Sequence, residues 1–362
     1  MSAGKEGALK GARFPGRYLQ GPGYLAHLGD EAAIFGSSAL IILDAGIYSL
    51  YADEVTTACK LFKQIDLQRH GGDCTEAEIA RLVDRASTRS AEVVIGIGGG
   101  KALDTAKAVA HHLELTCVVV PTIAASDAPC SALAVVYGED GSVAYDLFLP
   151  RNPDLVIVDT ALIAKAPPRF LVAGMGDALA TFYEADACRR SGANNVLGLT
   201  GLPVAYELAR FCRDTLFEHG FAALQECREK TAGPALERIV EANILLSGLG
   251  FESGGVAAAH AIHHGLCELH ETHGFLHGEK VALGVLAELL LQEVPPAVFS
   301  EVLAFCLKIG LPTRLADLGI VDPSLEMLQR IAARACREGE IIHNEPFPVT
   351  SQRVVEVLQR LL

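Results

Sequence analysis

The stretch that most restricts the fold is EVVIGIGGGK, residues 92–101. Glu92–Ile97 is an apolar run bounded by glycines and reads as a buried strand. Lys101–His112 reads as the helix that follows. A strand that turns at once into a helix belongs to a βαβ unit, and hence to a parallel sheet. Gly96, Gly98, Gly99 and Gly100 put four glycines within five residues, more than a tight turn needs. Glycines let a backbone approach a pyrophosphate closely, and the unpaired N–H groups of the helix start point at the anion. The spacing is not GxGxxG, because Lys101 stands where the last glycine would. It is not a P-loop either, because position 95 is Ile and Ala102 follows Lys101. A nucleotide-binding turn is favoured over a plain strand-to-helix turn.

The same alternation fills the first half of the chain. Ala39–Leu43 is a short apolar strand ending at Asp44, and a helical stretch surrounds Tyr51–Phe62. Thr75 and Glu78 form a capping-box signature. Leu115–Pro121 and Asp154–Val158 are further buried strands, and Ala132–Tyr137 with Ser142–Leu149 flank a hairpin turn at Gly138–Gly141. Asp44 is placed either to accept hydrogen bonds from a ribose or simply to start a helix. Pro121–Ser131 follows a strand, where ligands bind in open α/β sheets. Its Asp127 either forms a turn or faces a substrate. After Pro167-Pro168 the strands largely stop. Arg169–Arg190, Val204–Glu218, Pro234–Leu246, Gly255–Cys267, Glu279–Leu291, Pro296–Ile309, Ser324–Glu338 and Ser351–Leu362 all read as helices. The expected division is residues 1–165 as an α/β domain and 166–362 as an all-helical one, in line with a length of 362 residues.

Six of the twelve histidines fall in HAIHHGLCELHETHGFLHGEK, residues 260–280. Imidazole is the commonest nitrogen ligand for zinc and iron. On a helix His260, His263 and His264 share a face, and His277 stands before a new helix. Far upstream, Asp177 sits among Gly, Met, Ala and Leu. It is either a helix-start carboxylate or a buried one that needs a partner, which a metal would supply. The net charge of −14 argues against nucleic acid. No apolar run is long enough to span a membrane, the N-terminal stretch does not read as a signal peptide, and ten scattered cysteines without a CxxC pair fit reduced thiols in the cytoplasm.

The segments GIGGGKALDTAK (96–107), PTIAASDAPCSAL (121–133), AGMGDALATFYEA (173–185), FESGGVAAAHAIHHG (251–265) and HGEKVALG (277–284) together resemble the glycerol dehydrogenases of the group III, iron-containing-type alcohol dehydrogenase family. The likeness runs over nearly the whole chain. It implies a Rossmann-like α/β domain followed by an all-α domain (the dehydroquinate synthase-like fold), with the active site in the cleft between them. It implies metal ligands at Asp177, His260 and His277. Nucleotide contacts are implied at Asp44, Gly98, Gly99, Gly100, Lys101, Asp104, Thr122, Ser131, Leu133 and Tyr137, and a substrate contact at Asp127. The implied reaction is the reversible oxidation of glycerol to dihydroxyacetone with NAD, extending to other vicinal diols, in a homo-oligomer for which an octamer is the candidate. Many family members carry a fourth ligand, a His four residues after the Asp. Here that position is Thr181, so the resemblance points to zinc, one ion per subunit, rather than iron. The loop between His260 and His277 differs from the family in length and composition, and no role carries over to His270 or His273.

Three alternatives stand beside this reading: another polyol or alcohol dehydrogenase of the family, a dehydroquinate-synthase-like lyase, and a non-catalytic metal-storing protein. The lyase would need extra cations for a phosphorylated, carboxylated substrate. The motifs offer few beyond Lys101, Lys107 and Lys280. The glycine-rich loop argues against a storage protein.

Overall fold

The apolar runs of the first half form the middle of one six-stranded parallel sheet. In chain order the strands are β1 (Tyr18–Gly21), β2 (Ser38–Leu43), β3 (Gln64–Arg69), β4 (Val93–Gly98) and β5 (Thr116–Pro121). An antiparallel hairpin of β6 (Leu133–Tyr137) with β7 (Val143–Phe148) comes next, and β8 (Leu155–Asp159) completes the sheet. Side by side the six run β1-β8-β5-β4-β2-β3. The computed structural model describes residues 9–139 and 141–362. The reading of the extreme N-terminus falls partly on residues 1–8, and Asp140 belongs to the expected hairpin turn; both lie outside the described residues.

Inner strands of a parallel sheet are covered on both faces and so read as continuous apolar runs. β4 and β8 are buried along their whole length. The sequence reading has no counterpart for β1 (YLQG) or β3 (QIDLQR). Both are edge strands, only partly buried and rich in polar residues, so the apolar signal is missing where the covering is incomplete. One sheet face packs Ile41, Ile95, Val118 and Ile157 against Leu28 of α1 (Leu28–Ala32) and Val55 of α2 (Tyr48–Ala58). α3 (Glu76–Thr88) starts at Thr75, whose side chain accepts the N–H of Glu78. The reciprocal half of the box does not form, because Glu78 turns to the N–H of Gly71 and to Arg81.

β2 leads to β3 at the sheet edge, and β4 then joins the opposite side of β2. The carboxyl ends of β2 and β4 therefore flank the switch point of the sheet, the usual ligand position in such folds. α4 (Gly100–His112) leaves β4 through Gly99. A Cβ on Gly96 would stand 2.5 Å from Cβ of Ala106, so that glycine lets α4 lie directly on the strand.

The chain divides into two units. The α/β unit is Phe14–Pro167 together with Glu226–Glu237, and it includes α5 (Thr160–Lys165). The helical unit takes residues 9–13, Pro168–Gln225 and Arg238–Leu362. The helices that follow are α6 (Pro168–Ser191), α7 (Pro203–Arg228), α8 (Pro234–Glu241), α9 (Ser247–Gly254), α10 (Ala258–Leu266), α11 (His277–Leu291), α12 (Pro296–Ile309), α13 (Leu325–Ala335) and α14 (Ser351–Gln359). A π-helical segment, Ala242–Leu246, joins α8 to α9, where the sequence suggests a helix ending at Leu246. α11 buries every residue except its first, His277.

Candidate metal centre and nucleotide loop

Asp177 is the tenth residue of α6, well past the first turn, so it does not serve as a helix-start carboxylate. It is 1% exposed. Its Oδ1 lies 3.0 Å from Nε2 of His277, the first residue of α11, and 3.4 Å from Nε2 of His260, near the start of α10. Ligand-capable atoms of these three residues all fall within 4.8 Å of one another. Two glycines make that convergence possible. A Cβ on Gly278 would stand 1.8 Å from the carbonyl oxygen of Ala173, and one on Gly176 would stand 2.3 Å from that of Gly278. α6 and α11 thus touch backbone to backbone beside the residues that carry Asp177 and His277.

Neighbouring groups fix both imidazoles. His260 Nδ1 lies 2.6 Å from Oε2 of Glu184, and Oε1 of Glu184 accepts the backbone N–H groups of Ala257 and His260, each at 2.9 Å. His277 Nδ1 lies 3.1 Å from Nε2 of His263. Cys267 Sγ stands 3.4 Å from that same His263 nitrogen and accepts a hydrogen bond from Lys280 Nζ at 3.1 Å. Burial opposes ionisation of Asp177, but the facing His277 and His260 outweigh it and hold the carboxyl well below its usual range. Burial likewise opposes an imidazolium at His260, but Glu184 and Asp177 outweigh it and raise its pKa well above the ordinary value. One carboxylate and two imidazoles form a donor set suited to a divalent transition metal. Thr181, one turn beyond Asp177, is buried, with its hydroxyl 2.8 Å from that of Ser247. Its methyl lies 2.4 Å from where a Cβ on Gly250 would stand.

Of the nucleotide residues expected from the sequence, Asp44, Gly98 and Thr122 stand at the carboxyl ends of β2, β4 and β5, Gly100, Lys101 and Asp104 lie on α4, and Leu133 and Tyr137 bound β6. Asp44 donates its N–H to the carbonyl of Ile97 at 2.9 Å, and Thr122 donates to that of Gly98 at 3.0 Å. At Gly98, with φ of +156°, a Cβ would meet that of Asp44 at 2.6 Å. Lys101 is exposed, paired with Asp73, and 5.0 Å from the ring centre of Tyr137. Ser131 is buried, its hydroxyl donating to the carbonyl of Ala128 at 3.1 Å. Asp127 is half-buried on the same loop. Asp104 faces inward. Its carboxylate accepts the N–H of Val135 at 3.1 Å and lies 2.8 Å from Lys107 Nζ.

The profile of the family described as iron-containing alcohol dehydrogenase matches residues 15–160. A glycerol dehydrogenase from Thermotoga maritima is 52% identical over 346 residues, covering 96% of this chain and 95% of its own. The chain belongs to the iron-containing alcohol dehydrogenase family. A glycolaldehyde reductase from Halobacterium salinarum is 41% identical over 345 residues, covering 95% and 94%. The crystal structure of a probable glycerol dehydrogenase from Sinorhizobium meliloti superposes with a TM-score of 0.92 at 42% identity, covering 97% of this chain and 98% of that one. This member of the family is an NAD-dependent alcohol oxidoreductase with the Rossmann-like plus all-α fold expected from its sequence. No helix among its described residues is long and apolar enough to cross a membrane.

Two residues of this dehydrogenase escaped the sequence reading as site residues. Glu184 lies inside one of the quoted motifs, and its seven-residue spacing from Asp177 was the available signal. Lys107 is buried and donates to the carbonyls of Ala128 and Leu133, tying the Asp127 loop to α4. Its cue was a lysine on the apolar face of a helix. Of the remaining histidines, His264 Nδ1 lies 3.1 Å from Glu340, and the rings of His270 and His273 pack on each other at 5.3 Å.

Proposed function

We propose that this dehydrogenase oxidises glycerol to dihydroxyacetone, reversibly, with NAD and one zinc ion per subunit held by Asp177, His260 and His277. What carries the reading is the convergence of one buried carboxylate and two imidazoles in a chain that matches a glycerol dehydrogenase over nearly its whole length. Three ligands suit zinc in a catalytic role, and the engagement of Thr181 with Ser247 leaves the family's fourth ligand without a substitute.

When bound, the cation supplies Lewis acidity to a substrate hydroxyl, and the dinucleotide accepts the hydride. Asp177 supplies the negative charge of the centre, and His263 steadies the His277 ring through its outer nitrogen. Gly98, Gly99 and Gly100 open the start of α4 to a pyrophosphate. Asp44 accepts ribose hydroxyls and repels a 2′-phosphate, which favours NAD over NADP. Lys101, Thr122, Ser131, Leu133 and Tyr137 complete the nucleotide contacts. Asp104 supports the loop from beneath through Lys107, and Asp127 contacts the substrate. We assign NAD binding to residues 1–165 and metal binding to residues 166–362, in a cytoplasmic homo-oligomer, with an octamer as the candidate assembly.

The test combines metal analysis of the purified protein with a diol screen followed by NADH absorbance. The expected result is one zinc per subunit, turnover of glycerol and 1,2-propanediol, faster reaction with NAD than with NADP, and loss of both metal and activity in His277→Ala. Full metal content and activity in that variant would overturn the ligand assignment. The likeness to a glycolaldehyde reductase favours a second reading, reduction of a small hydroxyaldehyde. Running the assay in both directions, with glycolaldehyde and dihydroxyacetone as oxidants of NADH, separates the two.

A further inference from the structure

Glu184 lies seven residues beyond Asp177 on α6, two turns along the same helix face. It is completely buried, and its two oxygens meet three N–H donors. Two are the backbone N–H groups of Ala257 and His260, at the start of α10, where a helix has orphan donors to satisfy. The third is the ring of His260, 2.6 Å away at Nδ1. We propose that Glu184 is a positioning residue of the metal centre: it keeps the proton of His260 on Nδ1 and so leaves the Nε2 lone pair, which faces Asp177, for a cation. The proposal rests on the metal reading of the Asp177, His260 and His277 cluster.

The donor arithmetic makes the role specific to a carboxylate. Three donors need acceptors on both oxygens. Glutamine has the same shape but one oxygen and one NH₂ group. If its oxygen serves the two backbone N–H groups, its NH₂ faces Nδ1, and His260 must carry its proton on Nε2, the atom aimed at Asp177. If the amide is turned over, NH₂ meets two backbone N–H groups that have lost their acceptor. The first arrangement disfavours the ligand form of His260 directly, and the second keeps that form only by leaving two buried backbone donors at the start of α10 without an acceptor. Partners that fix the tautomer of a ligating histidine are worth about 10- to 100-fold in metal affinity.

Glu288 on α11 provides an internal control. It is fully buried, its Oε1 accepts a hydrogen bond from Gln292 Nε2 at 2.9 Å, and it makes no hydrogen bond to the His260 ring. Burial, together with the charges of Glu345 and Glu184, pushes its pKa well up. Glutamine at that position keeps the shape of the side chain and removes a buried carboxyl that does not touch His260.

The experiment is chelator competition on zinc-loaded wild-type protein, Glu184→Gln and Glu288→Gln, with NAD binding reporting the folded fraction. Glu184→Gln is expected to bind zinc about 10- to 100-fold more weakly, and Glu288→Gln to match the wild type. Equal affinity in all three, or equal loss in both variants, overturns the proposal. Wild-type protein that takes up no zinc instead overturns the metal reading itself. Should Glu184→Gln fail to fold, the ¹⁵N ring shifts of His260 in zinc-loaded wild-type protein decide: a proton on Nδ1 supports the assignment and a proton on Nε2 overturns it.

Discussion

Buried carboxyl groups set the character of the helical unit, and each is held differently. Asp177 faces imidazoles, Glu184 faces N–H donors, and Glu288 and Glu345 face each other across the amide of Gln292, whose Nε2 lies 2.9 and 3.1 Å from their oxygens. Burial foremost, with the charge of Glu184, raises the pKa of Glu345 from 4.5 to about 7, against the opposing pull of Glu288, Gln292 and Arg190. Between those two values the folded protein keeps a proton that the unfolded chain releases. Stability that is fully present below 4.5 is therefore lost as the pH climbs to about 7. Glu345→Gln removes the titration, so its thermal midpoint is expected to fall less steeply across that interval than that of the wild type. An unchanged slope would refute the assignment. At this scale the sequence is only partly legible. An aspartate among Gly, Met and Ala signals burial, whereas Glu184 is marked in the sequence only by its seven-residue spacing from Asp177. Likewise the density of histidines marks the region, and spacing alone does not separate His260 and His277, which face Asp177, from His264, which faces Glu340; the family resemblance does.

Elements were legible where covering is complete. β2, β4, β5 and β8 announce themselves as apolar runs, whereas β1 and β3 are edges with mixed composition. The π segment at Ala242–Leu246 has no signature that periodicity could reveal, because four of its five residues are buried and no polar face is left to show the change of turn. Gly176 and Gly278 read as ordinary small residues in sequence. In the fold they set the distance between α6 and α11. Gly278→Ala would place a methyl carbon 1.8 Å from the Ala173 carbonyl oxygen. The backbone must shift, at a destabilisation of about 1–3 kcal/mol, and His277 shifts with it. The expected outcome is reduced zinc content at full occupancy of the NAD site, read by metal analysis beside cofactor titration. A variant with wild-type zinc content and midpoint would show that the helix contact tolerates the methyl.

At the scale of the molecule, the sequence marks a change of composition near Pro167 but not the interleaving of the two units. Residues 9–13 cluster with the helices, and Glu226–Glu237 cluster with the sheet. Long-range returns of this kind leave no local trace, because a short segment looks the same whichever core it serves. Glu237 shows what the return achieves. Gln20 on β1 donates to its carbonyl at 2.9 Å and to its carboxylate at 2.8 Å, and the buried hydroxyl of Thr160 donates to the other carboxylate oxygen. Glu237→Ala would leave the Thr160 hydroxyl without that acceptor, a loss of about 1–3 kcal/mol. Hydrogen exchange should then quicken at the β1–β8 edge while the centre of α11 stays protected. Equal acceleration in both places would mean that Glu237 acts on the whole protein rather than on the edge it binds.

Under the proposed assignment of Asp177 and His277 as ligands, the backbone contact between α6 and α11 has a consequence for ion selection. Two donors mounted on rods in direct contact behave as a chelate with a fixed bite: the spacing of the Asp177 carboxylate and the His277 imidazole is set by the scaffold and not by the guest. Discrimination between ions then follows from fit to a rigid aperture, and exchanging the ion changes bond strain rather than the scaffold.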